Sequence, residues 1–191
     1  MSDAKSIKKN IRNIMRLKRQ SLKIDQQTRA SKHLLNNLLN CPDFLSAKRI
    51  GIYLASDGEI SLNPLLNSND TRLKNKQFFV PIVKKNKNKQ LNFTQISKSA
   101  TLKRNRFGIW EPKKVHAIQN WSLDLVLMPL VAFTLSGQRL GMGGGFYDTT
   151  FATKKMIIKQ PKLFGIAHTF QQLESLPNEP WDIPIKKVIS A

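Results

Sequence analysis

Cysteine and histidine are scarce in this chain, and their scarcity excludes several kinds of site. Cys41 is the single cysteine among 191 residues, so the sequence has neither a disulfide framework nor a cysteine-based zinc knuckle. The three histidines lie too far apart along the chain to form a local metal motif: His33, His116 and His168. We find no Ser–His–Asp arrangement, no Cys–His pair and no HExxH motif. Nucleophilic catalysis by a protein side chain is therefore poorly supported.

Long apolar runs are absent as well. The most apolar segment, residues 125–133, is too short to span a membrane and contains Pro129. The N-terminus is basic, but no apolar stretch follows it that would serve as a signal peptide. The sequence therefore predicts a soluble cytoplasmic protein with no membrane partner, and we expect a monomer.

Acidic residues are few compared with basic ones. The chain has 32 Lys and Arg against 12 Asp and Glu, which gives a formal net charge of +20. Such a charge attracts polyanions, so nucleic acid is one candidate partner. A small acidic substrate with several phosphates or carboxylates is another. The basic residues are scattered among asparagines, as in residues 84–89, and this spread favours a solvated surface over a designed binding face.

Predicted strands alternate with predicted helices. We predict helices over residues 4–23, 26–40 and 61–66, and strands over residues 49–55, 77–83, 91–96, 125–130, 164–167 and 187–190. This alternation predicts a three-layer, Rossmann-like α/β domain with a largely parallel sheet. We expect residues 1–191 to form a single domain, with the N-terminal helices of about residues 4–40 packed on the α/β body.

The first predicted helix has two stripes at helical spacing. One is apolar and comprises Ile7, Ile11, Ile14 and Met15; the other is basic and comprises Lys8, Arg12, Arg16, Arg19 and Lys23. A solvated face is the ordinary explanation for most of the basic stripe. If the apolar stripe docks on the body, however, Lys8 and Arg12 can reach phosphates bound there. Asp25 is the predicted cap of the second helix, whose predicted buried side is formed by Leu34, Leu35, Leu38 and Leu39.

A glycine-rich segment follows the apolar strand. Five of the nine glycines lie in residues 137–145, before a segment that can be helical. A strand, a glycine-rich turn and a helix start form a place where backbone N–H groups can bind an anion. Neither the P-loop nor the dinucleotide pattern is satisfied, because Phe146 and Tyr147 follow the last glycine. A tight structural turn is the alternative, but Arg139 and Asp148 favour a nucleotide triphosphate with its metal.

Several segments in the same order carry a resemblance to a known family. The run Arg-Leu-Gly-Met-Gly-Gly-Gly-Phe-Tyr-Asp at residues 139–148 resembles the signature of the 5-formyltetrahydrofolate cyclo-ligases, also called methenyltetrahydrofolate synthetases. Residues 8–12, 52–59, 107–112, 128–133 and 181–184 also fit that family. The resemblance implies ATP- and Mg²⁺-dependent closure of 5-formyltetrahydrofolate to 5,10-methenyltetrahydrofolate through a phosphorylated formyl group. The substrate supplies its own nucleophile, which agrees with the missing catalytic triad.

The resemblance also implies roles for individual residues. ATP contacts are implied for Lys8, Arg12, Arg139, Leu140, Gly141, Met142, Gly143, Gly144, Gly145, Phe146 and Tyr147. Folate contacts are implied for Leu54, Glu59, Met142, Gly143, Gly144, Gly145 and Phe146. Magnesium ligands are implied for Asp148 and Asp182. A polyglutamate tail on the folate would give part of the basic surface a use.

The chain departs from the family pattern at three positions. Phe146 stands where the family usually has tyrosine, Thr149 where arginine is frequent, and Thr134 where an acid is common. The rival hypothesis is a basic nucleic-acid-binding protein in which the glycine segment is only a turn. Single-stranded binders interleave aromatic with basic residues, whereas residues 5–23 and 84–89 contain no aromatic. We therefore expect a folate enzyme and no nucleic-acid partner.

Overall fold

A seven-stranded sheet forms the centre of the structure. The computed structural model describes residues 2–83, 89–105, 108, 110–152, 160–177 and 179–191. The α-helices are α1 (Ser2–Gln20), α2 (Ile24–Leu39), α3 (Pro42–Ser46), α4 (Asn63–Asn67) and α5 (Phe146–Phe151). The strands are β1 (Arg49–Gly51), β2 (Gln77–Val83), β3 (Leu91–Ile96), β4 (Leu102–Arg104), β5 (Trp110–Pro112), β6 (Ala117–Ile118), β7 (Leu125–Pro129), β8 (Ala132–Phe133), β9 (Arg139–Leu140), β10 (Lys162–Ala167) and β11 (Lys187–Ser190).

The strand order of the large sheet is β11-β10-β7-β1-β2-β3-β6. The first five strands in this order are parallel to their neighbours, and β3 and β6 add an antiparallel edge. Two small antiparallel pairs, β4–β5 and β8–β9, lie outside it. The predicted α/β fold with a largely parallel sheet and N-terminal helices is confirmed.

Strand β7 shows why the sheet is covered on both faces. Its side chains alternate between two core clusters: Leu125 and Leu127 pack with the helix α2 side, whereas Val126 and Met128 pack with the α5 side. All four are buried, as expected for a central parallel strand with helices on both faces. Three layers therefore follow from the period-two alternation of one apolar strand.

Helix α1 contacts the body through part of its apolar stripe. Met15 packs against β8 and β9, with Ile11 beside it, but Ile7 and Ile14 are each 43% exposed. The apolar stripe therefore docks through Ile11 and Met15, whereas Ile7 and Ile14 remain exposed. Arg19 is buried instead, so the inward face of α1 combines apolar and basic side chains.

Several predicted boundaries also differ from the structure. Helix α1 ends at Gln20, and Lys23 lies in extended backbone just before α2. Asp25 is not the cap of α2, because it pairs with Arg29, while the Lys23 N–H donates to Gln26. The first strand ends at Gly51, and the chain continues as irregular backbone. Residues 84–88 of the lysine-rich segment, and Phe107 and Ile109 of the family-like segment 107–112, lie outside the described residues.

Candidate nucleotide and folate site

The candidate site lies beyond the carboxyl ends of β1 and β7. Ligands in open α/β sheets bind at this end of the strands. The chain from β1 leads to a turn at residues 56–59, which we call the Glu59 turn. The chain from β7 passes through β8 and β9 into residues 141–145, which we call the glycine loop, and then into α5. Helix α1 packs over both.

The glycine loop has the backbone geometry that its composition predicts. Gly143 and Gly145 have φ angles of +90° and +70°, which side chains with a Cβ rarely adopt. Gly145 is also the residue just before α5, so the loop ends at a helix start. At Gly144 a Cβ would stand 2.9 Å from the Phe146 ring. Gly143 and Gly145 are therefore favoured by their backbone conformation, and Gly144 by the lack of space for a Cβ.

Arg12 connects helix α1 to this loop. Its Nε donates to the Gly141 carbonyl oxygen at 2.8 Å. Its guanidinium carbon lies 3.4 Å from the place where a Cβ on Gly143 would stand. Burial lowers the pKa of Arg12, and the charge of Asp182 opposes that shift. The structure thus brings a cation of the N-terminal helix against a loop about 130 positions away along the chain.

The two predicted metal ligands lie on adjoining segments. Asp148, in the first turn of α5, forms an ion pair with the buried Arg139 and accepts a hydrogen bond from the Ile183 N–H at 3.1 Å. Asp182 accepts from Lys8 Nζ at 3.4 Å and from the Glu179 N–H at 3.0 Å. Because Ile183 follows Asp182 directly, its bond to Asp148 holds the two segments together.

This pair of acids fits Mg²⁺ better than a metal that needs a full protein cage. Within the described ranges, no group of three or more His, Cys, Asp or Glu side chains is placed to hold a metal ion. Magnesium usually retains several waters and binds through one or two carboxylates plus substrate phosphates. Asp148 and Asp182 supply that donor set, and Arg139, Lys8 and Arg12 supply cations around it.

Glu59 is a buried carboxylate at the end of its turn. Its side chain is 10% exposed and accepts hydrogen bonds from the Ser56 N–H at 3.0 Å and the Ser56 hydroxyl at 3.4 Å. Burial raises the pKa of Glu59 to about 7, although the Ser56 bonds and the charge of Arg19 oppose the shift. A carboxylate with so little water around it is suited to accept hydrogen bonds from a ligand.

The Glu59 turn and the start of α5 lie near each other. Burial, and then the charge of Glu59, raise the pKa of Tyr147 and of Tyr53. The Tyr147 ring also stacks on Phe151 at 6.3 Å between ring centroids. The carboxylate expected to bind folate and a tyrosine expected to contact ATP are thus within electrostatic reach of each other.

The other predicted contact residues differ in their exposure and in their neighbours. Leu54 is half-buried and packs on the core, and Phe146 packs on the α5-side cluster. Met142 is 49% exposed, and its sulfur lies 3.9 Å from Arg19 Nη2. Leu140 is buried beside Met15 of α1. The ATP and folate contacts of these residues stay predictions.

The structure adds residues that the sequence analysis missed. Arg19 pairs with Asp57 at 2.6 Å, and His168 Nε2 lies 3.1 Å from the Gly58 carbonyl oxygen. Burial lowers the pKa of His168, and its ring stacks on Phe170. One signal for Arg19 was available: it follows Arg12 by seven positions, two helical turns, and so shares its face. Asp57 and His168 gave no comparable signal, because their partners are distant in sequence.

A large cleft also opens elsewhere. It has a volume of about 720 Å³, and its lining includes Arg49 and Gln77, the first residues of β1 and β2. This places it at the amino ends of the strands, away from the Glu59 turn. Its described lining contains no glycine and no carboxylate. It therefore lacks both the backbone approach and the metal ligands that a triphosphate site needs.

Comparisons with known proteins agree with the geometry. The model of the 5-formyltetrahydrofolate cyclo-ligase family matches residues 4–191. A 5-formyltetrahydrofolate cyclo-ligase of Haemophilus influenzae is 37% identical over 189 residues, covering 95% of this chain and 96% of the relative. One from Escherichia coli K12 is 34% identical over 179 residues, covering 93% and 96%. This chain belongs to the 5-formyltetrahydrofolate cyclo-ligase family.

A solved structure supports the assignment independently. The 5,10-methenyltetrahydrofolate synthetase of Aquifex aeolicus superposes with a TM-score of 0.79 at 30% identity, covering 96% of this chain and 89% of that one. The predicted family and the prediction of a cyclo-ligase-type enzyme are confirmed. None of the described helices is long and apolar enough to cross a membrane. The single domain, the monomeric state, the cytoplasmic location and the absence of a nucleic-acid partner stay predictions.

The raised pKa of Glu59 leads to a prediction about stability. Between its ordinary value of 4.5 and about 7, the unfolded chain releases the Glu59 proton while the native state retains it. The stability that this group contributes is therefore present below about pH 4.5 and lost as the pH rises through 7. Glu59→Gln has no proton to lose, so its stability should not fall over this pH range. As the pH rises, its free energy of unfolding should therefore rise relative to that of wild type by up to about 3 kcal/mol.

The measurement is urea denaturation of both proteins at several pH values from 5 to 8. Glu174→Gln is the matched control, because Glu174 is an exposed acid of the same type. A difference between Glu59→Gln and wild type that stays constant across this range would show that Glu59 titrates normally.

Proposed function

We propose that this protein catalyses the ATP- and Mg²⁺-dependent cyclisation of 5-formyltetrahydrofolate to 5,10-methenyltetrahydrofolate. The observation that carries the proposal is the meeting of three parts at one end of the sheet. Arg12 of α1 contacts the glycine loop, the Asp148 and Asp182 segments adjoin it, and Glu59 lies within electrostatic reach of Tyr147. The named activities of the relatives support the same reaction.

The ATP end of the proposed site is cationic and rich in glycine. Backbone N–H groups of residues 141–145 and the N-terminus of α5 would bind phosphate oxygens, with Arg12, Lys8 and Arg139 neutralising their charge. Asp148 and Asp182 would hold Mg²⁺. When bound, the metal would offset the negative charge that develops on the phosphates.

The folate end is formed by the Glu59 turn. A pterin ring presents amine and amide N–H donors, and the buried Glu59 carboxylate would accept hydrogen bonds from them. Leu54 and Met142 would supply apolar contacts beside the ring. The glycine loop would then lie between the two substrates, which is where the formyl oxygen must meet the γ-phosphate.

The proposed chemistry uses groups of the substrates only. The formyl oxygen attacks the γ-phosphorus, the bond from that phosphorus to the β,γ-bridging oxygen breaks, and ADP leaves. The second amine of the folate then attacks the formyl carbon of the imino-phosphate, loses its proton and expels phosphate. The protein's part is to align the two substrates and stabilise charge, the terms that dominate phosphoryl transfer. No protein nucleophile is required.

The first test is the reaction itself. We expect purified protein to convert 5-formyltetrahydrofolate only when both ATP and Mg²⁺ are present, with one ADP formed per folate. Absorbance follows the methenyl product, and a coupled assay follows ADP. Chelation of the metal should stop turnover, and added Mg²⁺ should restore it. Conversion without ATP, or ADP formation without folate, would contradict the proposal.

The metal role of Asp148 gives a second prediction. We expect Asp148→Asn to lower kcat on the order of a hundredfold or more, because a bound metal contributes several kcal/mol of charge stabilisation. The Mg²⁺ concentration for half-maximal activity should also rise. Asp25→Asn, an exposed acid on α2, is the control and should leave both quantities unchanged. Wild-type magnesium dependence in Asp148→Asn would refute the assignment.

The contact between Arg12 and the glycine loop gives a third prediction. We expect Arg12→Ala to raise the KM for ATP about tenfold, since charge-assisted hydrogen bonds contribute roughly twice a neutral one. The KM for folate should change far less. Arg29→Ala removes an exposed arginine that pairs with Asp25 and serves as the control. An unchanged ATP dependence in Arg12→Ala would show that α1 does not serve the nucleotide.

A further inference from the structure

Arg19 is a buried cation that the reaction above does not use. It is 1% exposed, and its Nη2 lies 2.6 Å from Asp57 Oδ2 and 3.9 Å from the Met142 sulfur. Its Nη1 lies 4.0 Å from Glu59 Oε1 and 3.5 Å from the Leu130 carbonyl oxygen. One guanidinium thus contacts the Glu59 turn, the residue that follows β7 and the glycine loop.

This arrangement is costly for stability alone. Burying an arginine requires desolvation, and a buried ion pair is often no more stabilising than an apolar replacement. Arg19 Nε is buried with no hydrogen-bond partner among the described residues. A side chain held at such a cost, between the two segments expected to contact folate, points to a role in arranging them.

The Glu59 turn is packed tightly against the C-terminal end of α1. Gly58 has a φ of +72°, and a Cβ there would stand 2.6 Å from the Arg19 carbonyl oxygen. The Gly58 carbonyl oxygen accepts from Gln27 at 3.2 Å and lies 3.1 Å from His168 Nε2. The turn therefore has little freedom of its own, and its position follows that of α1.

The electrostatic surroundings of Glu59 include groups from every packed element. Arg19 is the cation that faces it, and Asp57 is the neighbouring anion. Tyr53 and Tyr147 lie within reach of its charge, while His168 contacts the adjoining Gly58. Loss of Arg19 would remove the one cation of this described set that faces Glu59 directly.

We propose that Arg19 is a positioning residue for folate, which fixes the Glu59 turn and Met142 relative to each other so that the pterin binds beside the glycine loop. It acts through Asp57, Glu59 and Met142 and does not itself touch the substrate. The inference rests on the proposed function, because it assigns the Glu59 turn to folate.

The test compares Arg19→Met with Arg16→Gln. Arg16 pairs with the same Asp57 from the solvent side, with its side chain 42% exposed, and so is the matched control. We expect Arg19→Met to raise the KM for 5-formyltetrahydrofolate at least about tenfold, while the KM for ATP stays within about twofold. Arg16→Gln should match wild type in both. An unchanged folate KM in a folded Arg19→Met protein would overturn the inference.

The pH profile separates positioning from a merely structural effect. Arg19 lowers the pKa of Glu59, so its removal should shift the acid limb of kcat/KM for folate to higher pH. Arg19→Lys retains the charge, so it should return the limb to its wild-type position but restore the KM only in part, since an ammonium cannot bridge as a guanidinium does. An Arg19→Lys profile identical to that of Arg19→Met would contradict the proposal.

Asp57→Asn keeps the test decisive if Arg19→Met does not fold. This variant leaves Arg19 in place and weakens its bond to the turn, so the folate KM should rise. Because Asp57 raises the pKa of Glu59, the acid limb should move to lower pH, opposite to Arg19→Met. A wild-type folate KM in Asp57→Asn would count against the inference.

Glu59→Gln distinguishes failure of this inference from failure of the proposed function. If Glu59→Gln raises the folate KM and Arg19→Met does not, the positioning role alone is wrong. If Glu59→Gln also binds folate as wild type does, the assignment of the turn to folate is wrong.

Discussion

The site depends on the docking of one face of helix α1 onto loops that are distant in sequence. Met15 supplies the apolar contact with β8 and β9, and three cations on the same side each engage a different segment. Lys8 pairs with Asp182, Arg12 bonds to Gly141, and Arg19 pairs with Asp57. Helix α1 is therefore a neighbour that all three segments share. Their mutual arrangement is therefore fixed by side-chain charge as much as by the sheet beneath them.

The acids at this end of the molecule are held by neighbouring groups. The acids of the site are each held by a cation or by backbone N–H groups: Asp57 by Arg16 and Arg19, Asp148 by Arg139 and Ile183, and Asp182 by Lys8 and Glu179. The net charge of +20 of the whole chain agrees with an anionic substrate.

The fold and the glycine loop could be predicted from the sequence, whereas the interior of the site could not. Four consecutive apolar residues predict strand β7, and local composition predicts the glycine loop. Both signals lie within a few neighbouring residues. The docking face of α1 is not a local property. Ile14 has the hydrophobicity of a buried residue yet is 43% exposed, and Arg19 has the charge of a surface residue yet is 1% exposed. Arg19 is buried because it pairs with the carboxylate of Asp57, which lies 38 positions further along the chain.

The packing around Phe146 explains why phenylalanine is tolerated at this position. The Phe146 ring packs on the α5-side cluster and lies close to Gly144, so its place is set by apolar contact and by the missing Cβ. A hydroxyl at this position would extend the ring without being needed for that packing. Tyr147, by contrast, lies within reach of the Glu59 charge. Tyr147 thus carries the hydroxyl of this aromatic pair, directly after the glycine loop in the chain.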